Sequence, residues 1–111
     1  MSRPIKTAIL GSGFGTRVLL PALARSGDFQ VTTLCARNVD KLREPAQAYS
    51  VPRVVADWHV LLEDPEVEAV IAITDGEIVF PEEEPPYSVL WVLTQESEFA
   101  PGYGHILPLR L

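Results

Sequence analysis

Gly11-Ser12-Gly13-Phe14-Gly15-Thr16 is the part of this 111-residue chain whose residue types and spacing suit one specific chemistry, the cradling of a phosphate. A glycine at 11 permits a tight turn, and a glycine at 13 lets the backbone come close to a pyrophosphate. A helix that starts after the loop offers unpaired N–H groups and the positive end of its dipole to the same anion. The third fingerprint position, where helix packs on strand, holds Thr16 in place of Gly or Ala, and Gly15 one residue earlier relieves the crowding. The same glycines also suit a purely structural turn. The nucleotide reading is favoured by the strand–helix–strand spacing of about 30 residues around them.

About 20 residues past such a loop, an enzyme that prefers NAD carries an acid for the ribose. Here the corresponding stretch is Leu34-Cys35-Ala36-Arg37-Asn38, which contains none. Arg37 has the planar donor fork that pairs with a 2′-phosphate, so NADP is favoured over NAD; the alternative is an arginine in a solvated loop. The other reactive side chains make no recognisable catalytic or metal set. Cys35, the sole cysteine, has no disulfide partner and is expected to be buried and inert at a strand end, and one thiol with two scattered histidines makes no zinc site. His59 has no evident proton partner and reads as a surface or packing residue. His105 serves as a general base only if the glycine-rich tail around it folds over the cofactor. Glu82-Glu83-Glu84, set between prolines, reads as a solvated loop. No catalytic residue and no metal ligand is assigned.

These residues need elements to position them. Ile5–Leu10 is a short apolar run ending on glycine, which favours a buried strand. Thr16–Arg25 has the apolar spacing of a helix, with Gly27 as its stop. Pro21 is awkward there, since it removes a helical hydrogen bond and must bend the helix or mark its true first turn. Phe29–Cys35 reads as a second strand, Asn38 as a cap for a helix over Val39–Tyr49 that contains Pro45, and Arg53–Ala56 as a third strand. Asp57 caps a brief helix over Trp58–Glu63, Asp64-Pro65-Glu66 turns, and Glu68–Thr74 is a fourth strand. The alternation predicts an α/β, Rossmann-like parallel sheet of order 3-2-1-4 with helical crossovers.

Near residue 75 the character changes. Residues 1–74 hold eight basic and eight acidic side chains, whereas residues 75–111 hold seven acidic ones and only Arg110 against them, with five of the ten prolines. The expected division is a nucleotide-binding half-domain over 1–74 and an atypical, β-rich tail over 75–111, remodelled or truncated, with room to add one or two strands to the sheet. Asp75-Gly76 predicts a hairpin, with Glu77–Phe80 returning antiparallel to the fourth strand. Tyr87–Thr94 (YSVLWVLT) is a strand without a charge. It either replaces a missing fifth strand or stands as an exposed edge for self-association or a partner chain, with Trp91 as the anchor. Gln95–Leu111 reads as loop. The net charge of −6 argues against nucleic acid, and no apolar run approaches the ~18–20 residues of a membrane span, so a cytoplasmic location is expected.

The segments Ile5–Asn38 (IKTAILGSGFGTRVLLPALARSGDFQVTTLCARN) and Val51–Thr74 (VPRVVADWHVLLEDPEVEAVIAIT) resemble the N-terminal domain of the glucose–fructose oxidoreductase/inositol 2-dehydrogenase (Gfo/Idh/MocA) family. The resemblance covers about residues 4–74 and rests on the glycine loop running into LLPAL and on the DPEVEAV stretch before the fourth strand. It makes Pro21 ordinary, because the family's first helix carries one. It implies a Rossmann domain for NAD or NADP, followed in the family by a domain that covers a sugar- or cyclitol-like substrate. By resemblance, Gly11, Gly13, Phe14, Gly15 and Thr16 line the pyrophosphate, Arg37 lies near the ribose, and Thr74 ends the fourth strand beside the cofactor. The family continues after that strand with a helix and a strand ending in Glu-Lys-Pro, whose lysine orients substrate and moves a proton. Here Asp75-Gly76 follows, no Glu-Lys-Pro occurs, and no lysine lies beyond Arg53. Three expectations follow: a truncated or remodelled cofactor domain, a subunit completed in trans by a separate substrate domain, or a non-catalytic module that kept the fold. A frameshift or internal deletion is a further origin for the change at 75.

Overall fold

The computed structural model describes residues 3–11, 15–61, 64–74, 87–93 and 103–108, and at 15, 16, 74, 93, 107 and 108 the backbone alone. Six strands form one sheet: β1 (Ile5–Leu10), β2 (Phe29–Cys35), β3 (Arg53–Val55), β4 (Ala69–Thr74), β5 (Ser88–Leu93) and β6 (His105–Pro108). Their spatial order is β3-β2-β1-β4-β5-β6 and every pairing is parallel. The order 3-2-1-4 expected from the sequence is therefore present and continues by two strands.

Alternation along the strands sorts the core into two faces, as a sheet buried on both sides requires. Ile9, Leu34, Ile71 and Val92 face one side, where they pack with Leu20 and Leu23 of α1 (Leu20–Ser26) and Leu42 and Ala46 of α2 (Asp40–Ala48). Ala8, Cys35 and Val70 face the other, under Leu61, Val67 and half-buried Trp58. Farther along that face Ala72, Val89 and Trp91 pack with Tyr87 and Tyr103. Burying one Leu or Ile side chain of this kind contributes about 1.5–3 kcal/mol.

The first crossover resolves the difficulty of Pro21. Gly15–Leu19 forms a π-helical turn, and α1 takes over at Leu20 with the proline in its first turn. Pro21 has no N–H for the carbonyl four residues back, so the ladder widens just before it rather than breaking inside the helix. Gly27 ends α1 at φ 76°, ψ −13°, the left-handed stop that glycine adopts without cost. Val39 is the N-cap of α2, one residue later than expected, and Asn38 just before it still accepts the Asp40 N–H on its side-chain oxygen at 3.1 Å. Asp57 likewise accepts the His59 N–H at 2.9 Å at the start of a 3₁₀ turn over Trp58–Leu61.

At the amino ends of the strands the turn 64–68 is fastened by three cations. Arg53 pairs with Asp64, Lys6 with Glu66, and Arg3 with both carboxylate oxygens of Glu68. Thr32 is skipped in the β1–β2 register, and its hydroxyl donates to Glu66 O at 2.6 Å, so the bulge ties β2 to the same turn.

The second part of the chain adds two strands to the sheet and departs from expectation in which segments supply them and where the edge lies. Tyr87–Thr94 does supply a strand, but β5 is no free edge: it lies between β4 and β6, and Trp91 is 2% exposed, with its indole N–H donating to Tyr103 O at 2.9 Å. The anchor role for Trp91 is thereby corrected. Within Gln95–Leu111, read as loop, His105–Pro108 is an edge strand in register with Leu90–Leu93. Pro108 is compatible with this because the edge leaves N–H groups without a ladder partner in any case. Glu77–Phe80, expected to return antiparallel, lies outside the described residues, as does Glu82-Glu83-Glu84; both flanks of β4 along Ala69–Ala72 are taken by parallel partners.

Candidate nucleotide-binding edge

The site is built by four strands ending side by side. β1 leads into β2 and β3 on one side of the sheet, while β4, β5 and β6 lie on the other, so the order reverses between β1 and β4. In open α/β sheets the crevice beyond the carboxyl ends at such a reversal is where ligands bind. Gly11 stands at that point. Its N–H donates to Cys35 O at 2.8 Å, fixing the end of β1 to the end of β2. Its φ of +128° is a backbone conformation that side chains of L-residues rarely adopt, and a Cβ there would meet Ile73 O at 3.3 Å and Ile73 Cβ at 3.4 Å. The glycine thus lets the chain leave β1 close against β4, and the helical turn from Gly15 begins four residues later. This geometry fits a pyrophosphate approached by backbone rather than by side chains.

The expected site residues distribute as follows. Gly11, Gly15, Thr16, Arg37 and Thr74 all lie at the carboxyl edge: the first after β1, the next two opening the helical turn, Arg37 two residues beyond β2, and Thr74 as the last residue of β4. Gly13 and Phe14 lie outside the described residues. Arg37 is exposed and makes no ion pair or hydrogen bond among the described residues. Ala36 N–H donates to Val55 O at 3.2 Å, which places the loop carrying Arg37 beside the turn after β3.

Cys35 is buried as expected, and its thiol pKa is pushed up to about 11, first by burial and then by the charge of Asp57. Tyr87, half-buried, is pushed up to about 12, chiefly by burial and secondarily by Tyr103 and Cys35. Neither is poised to ionise near neutral pH. His105 opens β6 at the amino end of a parallel sheet, away from the carboxyl edge, so the arrangement that would have made it a general base over the cofactor does not occur. His59 does have a proton partner, contrary to expectation: its Nδ1–H donates to Asp57 Oδ1 at 2.5 Å. The signal was local. A capping aspartate places its carboxylate over the next two residues, and one of them is the histidine. Asp57 is held below the usual carboxylate range by the His59 backbone N–H and then by its side chain.

A family model described as an oxidoreductase family with an NAD-binding Rossmann fold, GFO_IDH_MocA, matches residues 5–82. The chain belongs to the Gfo/Idh/MocA family. Solved structures similar to this Gfo/Idh/MocA chain share its fold at low identity. KijD10, a 3-ketoreductase from Actinomadura kijaniata in complex with NADP and TDP-benzene, is 20% identical with a TM-score of 0.61, over 80% of this chain and 29% of its own. A putative NADPH-dependent oxidoreductase from Desulfitobacterium hafniense is 20% identical with a TM-score of 0.63, over 83% and 27%. An oxidoreductase domain protein from Kribbella flavida is 21% identical with a TM-score of 0.65, over 82% and 26%. The chain therefore spans less than a third of the length of these structures. No curated protein sequence matches it. The domain is an NAD(P)-binding Rossmann domain, and no helix among the described residues is long and apolar enough to cross a membrane.

Proposed function

We propose that this chain binds NADP(H) in preference to NAD(H), as the nucleotide-binding part of an oxidoreductase acting on sugar- or cyclitol-like substrates. The observation that carries the reading is the carboxyl end of β1, where Gly11 turns at φ +128° against β4 at the reversal of strand order. Gly11, Gly13, Phe14, Gly15 and Thr16 would hold the pyrophosphate, with Thr74 beside the nicotinamide half. Arg37 would hold the 2′-phosphate, which is supported by its exposure, its lack of an ion pair among the described residues, and the absence of an acid at Leu34–Asn38. The bound nucleotide would supply or accept the hydride.

Residues 1–74 are the nucleotide-binding half in this reading, and β5 and β6, from the segment after it, extend its sheet. We assign this chain no catalytic residue. Its sequence has no Glu-Lys-Pro and no lysine after Lys41, so the lysine that the family resemblance implies has no counterpart in these 111 residues.

Calorimetric titration of the chain with NADP⁺ and NAD⁺ tests the reading. Saturable 1:1 binding, tighter for NADP⁺, is expected; Gly13→Val should abolish it. Arg37→Ala should cost NADP⁺ about 10- to 100-fold, the equivalent of ~1.5–3 kcal/mol for hydrogen bonds to a charged group. A folded chain that binds neither nucleotide would leave only a Rossmann-derived scaffold.

A further inference from the structure

The turn after β3 carries Asp57-Trp58-His59, and it places a carboxylate where a phosphate site would be harmed by one. β2 and β3 are adjacent and parallel, with Cys35 opposite Val55. Arg37 lies two residues beyond the first and Asp57 two residues beyond the second, so the two leave neighbouring strands, about 4.8 Å apart, at the same level. The charge of Asp57 is felt by the Cys35 thiol, which sets the carboxylate within electrostatic reach of the tip of β2. Opposite charges so placed would pair if both were free, and a guanidinium fork matches a carboxylate as well as it matches a phosphate.

They do not pair. Asp57 Oδ1 accepts both the backbone N–H of His59, at 2.9 Å, and its Nδ1–H, at 2.5 Å. The imidazole is fixed in turn. It stacks on Trp58 with ring centroids 3.6 Å apart and planes 21° from parallel, and Trp58 packs on the cluster of Ala8, Cys35 and Leu61. The chain from core to carboxylate is therefore continuous, and it ends with Asp57 turned to its own loop while Arg37 stays unengaged among the described residues.

We infer that His59 is a positioning residue for nucleotide specificity: by holding the Asp57 carboxylate on the 3₁₀ turn, it keeps Arg37 available to the 2′-phosphate and so sets the preference for NADP(H). This rests on the assignment of Arg37 made above. His59 touches no reacting atom, and its effect is confined to the nucleotide that carries the extra phosphate. NAD(H) has a neutral ribose hydroxyl in place of the phosphate and no charge for Arg37 to pair, so its binding depends far less on where Asp57 points.

The test is calorimetric titration of the full chain with NADP⁺ and with NAD⁺, for the parent, Arg37→Ala, His59→Leu and the double variant His59→Leu/Asp57→Asn. The His59 side chain is 62% exposed, so its replacement leaves the core intact, and NAD⁺ affinity serves as the control for a folded site. His59→Leu should lower NADP⁺ affinity by about fivefold, the upper range of an exposed ion pair in competition. NAD⁺ affinity should stay within about twofold. Asp57→Asn in the same chain should restore the NADP⁺ preference, because the amide keeps the cap and loses the charge. If His59→Leu leaves the ratio of affinities unchanged while Arg37→Ala collapses it, the inference fails and the assignment of Arg37 stands. A loss that Asp57→Asn does not rescue overturns it too, since the imidazole then acts by itself. If Arg37→Ala leaves the ratio unchanged, the assignment of Arg37 falls and the inference falls with it.

Discussion

Gly27 and Gly104 offer a matched pair of alanine substitutions, because their φ angles are 76° and 78° and their surroundings are opposite. At Gly27 a Cβ meets nothing within 4 Å, so Gly27→Ala carries only the left-handed backbone penalty, about 1–2 kcal/mol. At Gly104 the same Cβ would stand 2.7 Å from Val89 O and 2.9 Å from Trp91 Nε1. The first of these is backbone of β5 and cannot swing aside. Gly104→Ala must push β6 off β5 or strain both, which adds overpacking of about 1–3 kcal/mol to the same conformational term. The total, about 2–5 kcal/mol, is a large share of the 5–15 kcal/mol typical of a domain. Urea unfolding followed by tryptophan emission, in a Trp58→Phe background so that Trp91 is the only reporter, reads it out. With a urea slope of about 1–3 kcal/mol per M, the Gly104→Ala midpoint should fall about 1 M below that of Gly27→Ala. The Trp91 emission should also change in the native state, because its hydrogen bond to Tyr103 O spans the same contact. Equal midpoints for the two variants, with Trp91 emission unaltered, would refute the packing of residues 103–108 on β5.

Other consequences are as direct. Glu68 is held at about 2 by the Arg3 guanidinium and then by the Lys6 backbone N–H, against 4.5 for a free glutamate. A depressed carboxylate stabilises the fold above the unfolded value and loses that contribution as pH falls from about 4.5 toward 2. Glu68→Gln should therefore flatten stability against pH in that window, as read by urea midpoints, and leave the curve above pH 6 parallel to the parent. Cys35, 1% exposed and with its pKa raised to about 11, should resist a disulfide reagent at pH 8 until the chain unfolds, so that labelling tracks the urea transition; fast native labelling would contradict the burial. Arg53→Met strips the cation from Asp64, whose side chain is 4% exposed, and should cost about 2–4 kcal/mol by leaving a buried charge unpaired. Asp64→Asn in the same chain should recover much of that loss in thermal melts.

The residues that were legible are those whose signal is periodic or local. Ile9, Leu34 and Ile71 alternate with smaller Ala8, Cys35 and Ala72, a pattern long enough to specify strands with both faces covered. Gly27 stops a helix, and Asn38 and Asp57 each accept the N–H two residues on, all through nearest neighbours that a sequence displays. β6 escaped because HILP is four residues long, follows two glycines and ends on proline, each a loop feature; only packing against β5 makes it a strand. Trp91 was misjudged as a consequence. Without β6 an uncharged strand looks like an edge, and with it the indole is interior. The Asp57–His59 bond lies at a spacing of two, within reach of a capping carboxylate, although the residue types alone show no partner for His59.

β1 also has a history in time. Its partner β2 follows it at once, whereas β4 arrives only with the segment around Glu68, which donates its N–H to Lys6 across 62 positions. At synthesis rates of about 5–20 residues per second, one side of the innermost strand stays unpaired for about 3–12 s. Parallel pairings at such separation are also slow to form once the chain is present. A nascent chain halted before residue 69 would thus display Ala8 and Ile9 on a bare ribbon edge, and holding chaperones should release it only once Ala69–Ala72 have emerged.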